Sequence, residues 1–515
     1  MKPAVAVGLV LLAVGALMLR LPQLDERPLH TDESVHAIKF LGLWEGAGYR
    51  YDPHEYHGPS LYYATLPLAW LSGARTRAEL SETVLRLSPV LWGTALVLLL
   101  GLTWRFMGTV ATLWAGVFTA VSPVMVYYSR YFIHETLLIA FTFGFLGFAW
   151  RYWRDPRRGW MLGAGVCLGL MHATKETLVF PLAAAAGATL AAWGWGRLRE
   201  EPSAEVGWRG KDLAWGLGVA GVVSLTFFTS FFSNWQGPLD AWRTYGPWLA
   251  RAEGDSPHVH PWSFYWTRLL YTRVGSGPTW SEGLIFGLGL VGMVRALGAG
   301  QCLGIDRGWV RWLTFYTLLL SAAYTVIPYK TPWLVLGFWH GWILLAGVGV
   351  ASAMARLRWL PWRAAIAGLV AVGTWHLGLQ AHRATIRYGD SQRNPWVYAH
   401  TLSSVLDLVD RVQAIAKVAK DEPLIIKVMT TGGDYWPLPW YLREHATGWY
   451  AGVPVQPDEA FAPIIIASPD FAPNLREVLG DQVQALGMFG LRPGVFLQLH
   501  VEPGLWERYL NRDRE

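Results

Sequence analysis

The chain has 515 residues, of which 53% are hydrophobic and only 16% charged, and its mean hydropathy is +0.25. A soluble chain of this length would carry closer to a quarter charged residues, so an ordinary soluble globular protein is excluded as the expected class. The net charge of +6 sits largely in short loops between apolar runs, which is the pattern of membrane orientation rather than of a nucleic-acid-binding face.

In chain order, apolar runs near or above roughly 18 residues recur over the first 380 positions, the signature of a polytopic helical membrane protein. The first, Val5 to Leu19, follows Lys2 and has no small-residue cleavage signal after it, so it reads as an uncleaved helix. The expected spans are 4–21, 86–105, 109–128, 136–153, 160–174, 177–196, 212–232, 281–299, 311–328, 332–354 and 362–380, about eleven transmembrane helices. Basic loops at Trp104-Arg105, Arg151 to Arg158, Arg197 to Lys211, Arg295 to Arg311 and Arg356 to Arg363 are expected in the cytoplasm. Leu61 to Leu71 is apolar but only about eleven residues long and contains Pro67, too short to cross roughly 30 Å of hydrocarbon. It is read as an interfacial helix within a first external loop, residues 22–85, and a second external loop covers 233–280.

The last third differs. Asp407, Asp410, Arg411 and Lys417 give a polar helix face, and the β-branched runs Leu424–Met429, Ala462–Ser468 and Val495–Val501 read as strands. Residues 381–515 are therefore expected to form a soluble α/β domain outside the membrane, joined to a transmembrane domain over residues 1–380. Cys167 and Cys302 lie in or beside apolar segments and suggest neither a disulfide framework nor a zinc site.

Two acidic–histidine clusters fall on the same expected outer face: His30-Thr-Asp-Glu-Ser-Val-His36 and Ser129-Arg-Tyr-Phe-Ile-His-Glu135. A carboxylate at the mouth of a membrane protein is costly unless solvated or paired, which makes each a functional candidate. Asp32 and Glu33 are candidate catalytic groups, since a partly desolvated carboxylate can act as a general base toward a hydroxyl; an N-cap role is the alternative. Arg130, Lys175 and Lys330 share that face, and Arg268 and Arg273 lie in the loop 233–280. Cations gathered beside acids there suit a lipid-linked phosphate. His36, His57, His134 and Glu135 are placed in supporting roles, orienting an acceptor or holding a divalent metal; no diagnostic metal spacing is present.

The layout over residues 1–380 resembles the polyprenyl-phosphate-sugar glycosyltransferases of the GT-C type, which include the protein O-mannosyltransferases and the aminoarabinose transferases. The carriers are Leu29-His-Thr-Asp-Glu-Ser34, Tyr56-His-Gly-Pro-Ser-Leu-Tyr62, Tyr128-Ser-Arg-Tyr-Phe-Ile-His-Glu135 and the Thr174-Lys175 turn. Gly433-Asp-Tyr-Trp-Pro-Leu-Pro-Trp-Tyr-Leu-Arg443 and Gly490-Leu-Arg-Pro-Gly-Val-Phe496 look like motifs of a bacterial and archaeal subgroup termed flippase-activity-associated proteins. The resemblance implies Asp32 as catalytic base and an acidic role for Glu135, where the usual residue is often aspartate. It also aligns Lys175 with a lysine of the aminoarabinose transferases.

The expected function is inverting transfer of a sugar from a polyprenyl-phosphate donor to an acceptor hydroxyl on a glycan, lipid or protein, at the outer face of the plasma (inner) membrane. The rival readings are a lipid-linked glycan flippase and a non-catalytic glycolipid-binding scaffold. A flippase should show ionisable groups deep within spans, and these runs are nearly free of charge.

Overall fold

The computed structural model describes residues 1–54, 57–200, 207, 209–253, 257–298, 304–356, 359–419 and 424–512. Its helices are α1 Pro3–Arg20, α2 Thr31–Trp44, α3 Ser60–Ser72, α4 Glu82–Leu99, α5 Trp104–Val121, α6 Pro123–Tyr128, α7 Glu135–Arg154, α8 Arg158–His172, α9 Val179–Leu198, α10 Gly210–Phe228 and α11 Gly237–Arg243. They continue as α12 Tyr245–Glu253, α13 Phe264–Leu270, α14 Gly283–Leu297, α15 Arg307–Val326, α16 Val335–Arg356, α17 Leu360–His382, α18 Ser404–Ala416, α19 Leu438–Tyr441, α20 Pro457–Ala460, α21 Ala472–Leu479 and α22 Pro503–Asn511. The strands are β1 Thr272–Arg273, β2 Thr279–Trp280, β3 Ile425–Met429, β4 Ala446–Tyr450, β5 Ile464–Ala467, β6 Gln484–Arg492 and β7 Val495–Val501.

Each expected span is helical, but their number as membrane crossings does not follow. Among the described residues six helical stretches are long and apolar enough to cross: Pro3–Arg20, Glu82–Leu102, Glu176–Leu198, Gly210–Phe228, Pro332–Arg356 and Leu360–Arg387. The others are shorter or more polar. α8 and α14 have 15 residues each, α7 carries Glu135, Arg151 and Arg154, and α15 carries Arg307 and Arg311. The expected span 109–128 is two helices, interrupted at Ser122-Pro123 and entered through a kink at Gly108. The apolar run Leu61 to Leu71 forms α3, 13 residues with Pro67 inside, below the roughly 20 that a crossing needs.

Chain contacts divide the molecule into two units. The first comprises residues 1–24, 46–68 and 84–398 and contains the helical bundle. α16 is its centre, buried over most of its 22 residues and packed against α5, α14 and α15. The pairs α8–α10 and α9–α15 flank it, with α7 against α8. The unit ends at residue 398, so the stretch 381–398 groups with the bundle and not with the sheet that follows.

The second unit comprises residues 25–45, 69–83 and 399–515. Its five-stranded sheet has the order β4-β3-β5-β7-β6. β3 runs parallel to β4 and β5, while β7 is antiparallel to both β5 and β6. β-Branched runs suit this buried sheet: Ile464, Ile465 and Ile466 are all fully buried. α18 and α22 cover one face through Val405, Leu408, Val412 and Leu505, and Leu475 and Leu479 of α21 cover the other. The helix α2, drawn from near the start of the chain, belongs to this unit.

Candidate active site

In the second unit, the motif around Asp32 opens α2 with a reciprocal cap. His30 Nδ1 accepts from the Asp32 amide at 3.1 Å, and Glu33 Oε2 accepts from the His30 amide at 3.0 Å. Arg27 pairs with Glu33 at 3.1 Å, and Glu33 is fully buried. The cap therefore uses His30 and Glu33, and neither Thr31 nor Asp32. Glu33, expected beside Asp32 as a catalytic acid, has its carboxylate committed to the Arg27 guanidinium and the helix end. Asp32 is left with 44% of its side chain exposed, and its carboxylate lies 3.9 Å from His30 Nδ1. His36, one turn on, is buried.

The C-terminal segments hold this motif from the same unit. Tyr441 Oη accepts from the Leu29 amide at 2.9 Å, Ser34 Oγ donates to Pro437 O, and Thr401 Oγ1 donates to Leu29 O at 2.7 Å. Arg492 donates to Thr31 Oγ1 at 3.0 Å and to Asp434. His30 stacks on His400, with ring centroids 5.8 Å apart. The motifs Gly433–Arg443 and Gly490–Phe496 are thus what fix residues 29–34.

In the first unit, a turn between α8 and α9 closes on the turn that precedes α3. The Gly58 and Ser60 amides donate to Thr174 O and Ala173 O, and Ser60 Oγ meets Thr174 Oγ1 at 2.8 Å. A Cβ at residue 58 would lie 2.2 Å from Ala173 O, so only glycine fits. His134 Nε2 hydrogen-bonds Gly58 O at 2.8 Å.

This zipper brings together Glu135, Lys175, Glu176 and His57. Lys175 Nζ donates to Glu135 Oε1 at 2.5 Å, with both side chains 6% exposed. Glu176 Oε2 meets His57 Nδ1 at 3.0 Å. Burial alone would lower the Lys175 ammonium, but the Glu135 and Glu176 carboxylates outweigh it and hold it above its ordinary value. Glu135 also lines a small, largely apolar cavity of about 30 Å³ between α7, α9, α15 and α16. Lys175, expected as a phosphate ligand, is thus paired with the residue that was expected to orient the acceptor.

Arg130 donates to Arg20 O at 3.1 Å and Gln23 O at 2.9 Å, so its guanidinium knits the end of α1 to the chain after α6. Two other cations form a separate cluster. Lys330 Nζ donates to His260 O at 3.1 Å and to Ile327 O. Arg268 donates to Pro395 O and Phe264 O and lies 3.7 Å over the Phe264 ring. His258 Nδ1 and His260 Nε2 both meet Tyr398 Oη, at 2.8 and 2.9 Å. Burial, with Arg268, His258 and Lys330 nearby, pushes His260 below its usual range, and burial lowers Lys330. Arg273 stands exposed on β1, and Tyr56 lies outside the described residues.

His258, His260, Tyr398 and Glu282 were not singled out from sequence. Glu282 is buried and accepts from Ser122 Oγ at 2.5 Å, the Val124 amide at 3.0 Å and Trp339 Nε1 at 2.9 Å. A lone carboxylate inside the expected span 281–299 was the signal for it. Among the described residues no three His, Cys, Asp or Glu side chains gather as a metal site requires.

Comparison with known proteins gives three findings. Residues 67–205 match the family model for dolichyl-phosphate-mannose-protein mannosyltransferase. ArnT from Cupriavidus metallidurans, solved bound to undecaprenyl phosphate, superposes with a TM-score of 0.65 at 17% identity, covering 96% of this chain and 98% of that one. The Archaeoglobus fulgidus oligosaccharyltransferase, solved tethered to an acceptor peptide, superposes with a TM-score of 0.54 at 12% identity, covering 91% of this chain and 69% of that one. No curated protein matches by sequence. The GT-C resemblance read from the motifs stands: the chain carries the fold of these glycosyltransferases.

Proposed function

We propose that this protein is a membrane glycosyltransferase that moves a sugar from a polyprenyl-phosphate donor to an acceptor hydroxyl, with inversion, at the outer face of the plasma membrane. Asp32 is the base. The observation that carries this is the cap of α2: His30 and Glu33 form it between them, so the Asp32 carboxylate is not used in the cap and stays 44% exposed, with His30 Nδ1 at 3.9 Å its one ionic contact among the described residues. The shared fold with ArnT supports the donor class, since that protein was solved with a polyprenyl phosphate.

In the reaction, Asp32 takes the acceptor hydroxyl proton as the oxygen forms its bond to the anomeric carbon. The bond from that carbon to the phosphate oxygen breaks, and polyprenyl phosphate leaves with the electron pair. Developing charge on the phosphate needs cations and no general acid. Arg268 and Lys330, with His258 and His260, are the better assignment for that role, because Lys175 is neutralised by Glu135, whereas no carboxylate pairs with Arg268 or Lys330 among the described residues. The acceptor class is a glycan, lipid or protein hydroxyl.

The test is transfer of label from polyprenyl-phosphate sugars by the purified protein, with and without a chelator. Asp32→Asn should reduce turnover by at least about a thousandfold, the loss of a positioned base together with its charge, while the melting temperature stays unchanged. Turnover near the wild-type rate in that variant would refute the assignment. Activity that survives the chelator is expected, and loss restored by a divalent cation would replace the metal-free scheme.

A further inference from the structure

At the ends of the bundle helices that bear basic loops lies an open cavity of about 520 Å³, within the range of small-ligand sites. Its walls carry four cations from four separate segments: Lys2 before α1, Arg105 at the start of α5, Arg295 at the end of α14 and Arg356 at the end of α16. Among the described residues no acidic side chain lines it. Gly108 forms part of the wall with a φ of +75°, a conformation that breaks α5 and restarts the helix at Thr109. Thr109, Val110 and Ala111, the first turn of that restarted segment, lie in the same wall, and a helix N-terminus carries partial positive charge.

Membrane orientation requires basic residues at such ends but does not require them to converge. The neighbouring arginines show the ordinary arrangement. Arg154 pairs with Asp306, Arg157 with Asp155 and Arg158 with Asp212, while Arg151 donates to the carbonyls of Gly101 and Leu102. Lys2, Arg105 and Arg356, by contrast, have no side-chain hydrogen bond or ion pair among the described residues. Like charges gathered without a counter-charge repel, and an anion among them relieves that repulsion.

We propose that this cavity is a second lipid site, which takes the phosphodiester headgroup of an anionic membrane phospholipid. The surroundings point to a lipid rather than a free anion. Trp104 and Val110 are in the lining, Val110 is 48% exposed, and Val294, next in the chain to Arg295, is 68% exposed, which offers apolar surface to acyl chains. Basic pockets between helix ends on the cytoplasmic side are of the kind that hold such headgroups.

The full chain in detergent is titrated with phosphatidylglycerol, phosphatidylcholine or inorganic phosphate, and bound lipid is read by native mass spectrometry. Phosphatidylglycerol should bind wild type, and at least tenfold more weakly the R105Q/R356Q variant. The R105K/R356K variant, which keeps the charge, should bind within threefold of wild type. R157Q, whose arginine is already paired, should bind as wild type. Equal binding by wild type and R105Q/R356Q, or equal binding of phosphatidylcholine, overturns the proposal. So does an R157Q loss as large as that of the double variant, which would mean bulk surface charge. Displacement of phosphatidylglycerol by inorganic phosphate at comparable concentration overturns the lipid assignment in favour of a free anion.

Discussion

At the scale of single residues, the candidate site separates charges that are spent from charges that are available. Glu135 and Lys175 are spent on each other in a place where water does not reach them. Removing one partner of such a pair leaves an uncompensated buried charge, so Glu135→Gln should lower stability by about 3–5 kcal/mol, as should Lys175→Met. The double variant E135Q/K175M should recover part of that loss, because no unpaired charge then stays buried, while the amide in place of the Glu135 carboxylate still lacks the partner that Lys175 supplied. Chemical unfolding of the three variants checks this, and a double variant as unstable as the sum of the singles would show that the pair is not the interacting unit. His260 is available in a different sense. It is held below its ordinary value by burial and by Arg268, His258 and Lys330, so it is neutral near pH 7. An anion bound beside it raises that value, so binding takes up a proton. Affinity for the polyprenyl-phosphate sugar, a phosphodiester whose charge is constant over this range, should therefore strengthen as pH falls from neutral through the bound-state value, and level off once His260 is protonated in the free protein too. His260→Gln should flatten the profile; a profile of the same slope in that variant would remove His260 from the phosphate cluster.

Among the elements, α6 is the joint through which the bundle aims the segment 129–135. It is six residues long, and Glu282 caps it by accepting from the Val124 amide while also holding Ser122 and Trp339. Glu282→Ala leaves three buried polar groups without that partner, at a cost of about 1–3 kcal/mol each. Glu282→Gln, which keeps an acceptor, should lose less than half as much in a thermal melt. Little in the residue pattern warns of this joint. Hydropathy reports apolar content, and 109–128 is apolar throughout, so it reads as one span. The breaks at Gly108 and Pro123 are set by backbone conformation, which a hydropathy window does not register. Hydropathy was reliable where a helix is apolar over a full span and on all sides, as for α1, α9 and α16. For α3 the countable quantity was length, and the helix is 13 residues long.

For the whole molecule, what was legible was chemistry that is local in the chain. Asp32 was visible as a carboxylate in a short polar motif, and the strands of the sheet were visible as β-branched runs. What was hidden was pairing across several hundred residues. Nothing in residues 29–34 announces that Tyr441, Pro437, Thr401 and Arg492 hold them, and the boundary expected at residue 380 missed that α2 folds with the sheet. For the same reason the roles first given to Lys175 and Glu135 were separate ones. That long-range hold has a measurable consequence for activity. Arg492→Met removes the donor to Thr31 and Asp434, and a displacement of the base by an ångström costs about a hundredfold in rate. Turnover should fall by about ten- to a hundredfold with the donor KM nearly unchanged; a change confined to KM would place Arg492 in donor binding instead.

The grouping of α2 with the sheet also sets an order in time. The Asp32 motif precedes Thr401, Tyr441 and Arg492 by several hundred residues, so it leaves the ribosome well before its partners do. Until Arg492 has been made, the contacts to Leu29 and Thr31 cannot all form, and the start of α2 has no complete framework to lock onto.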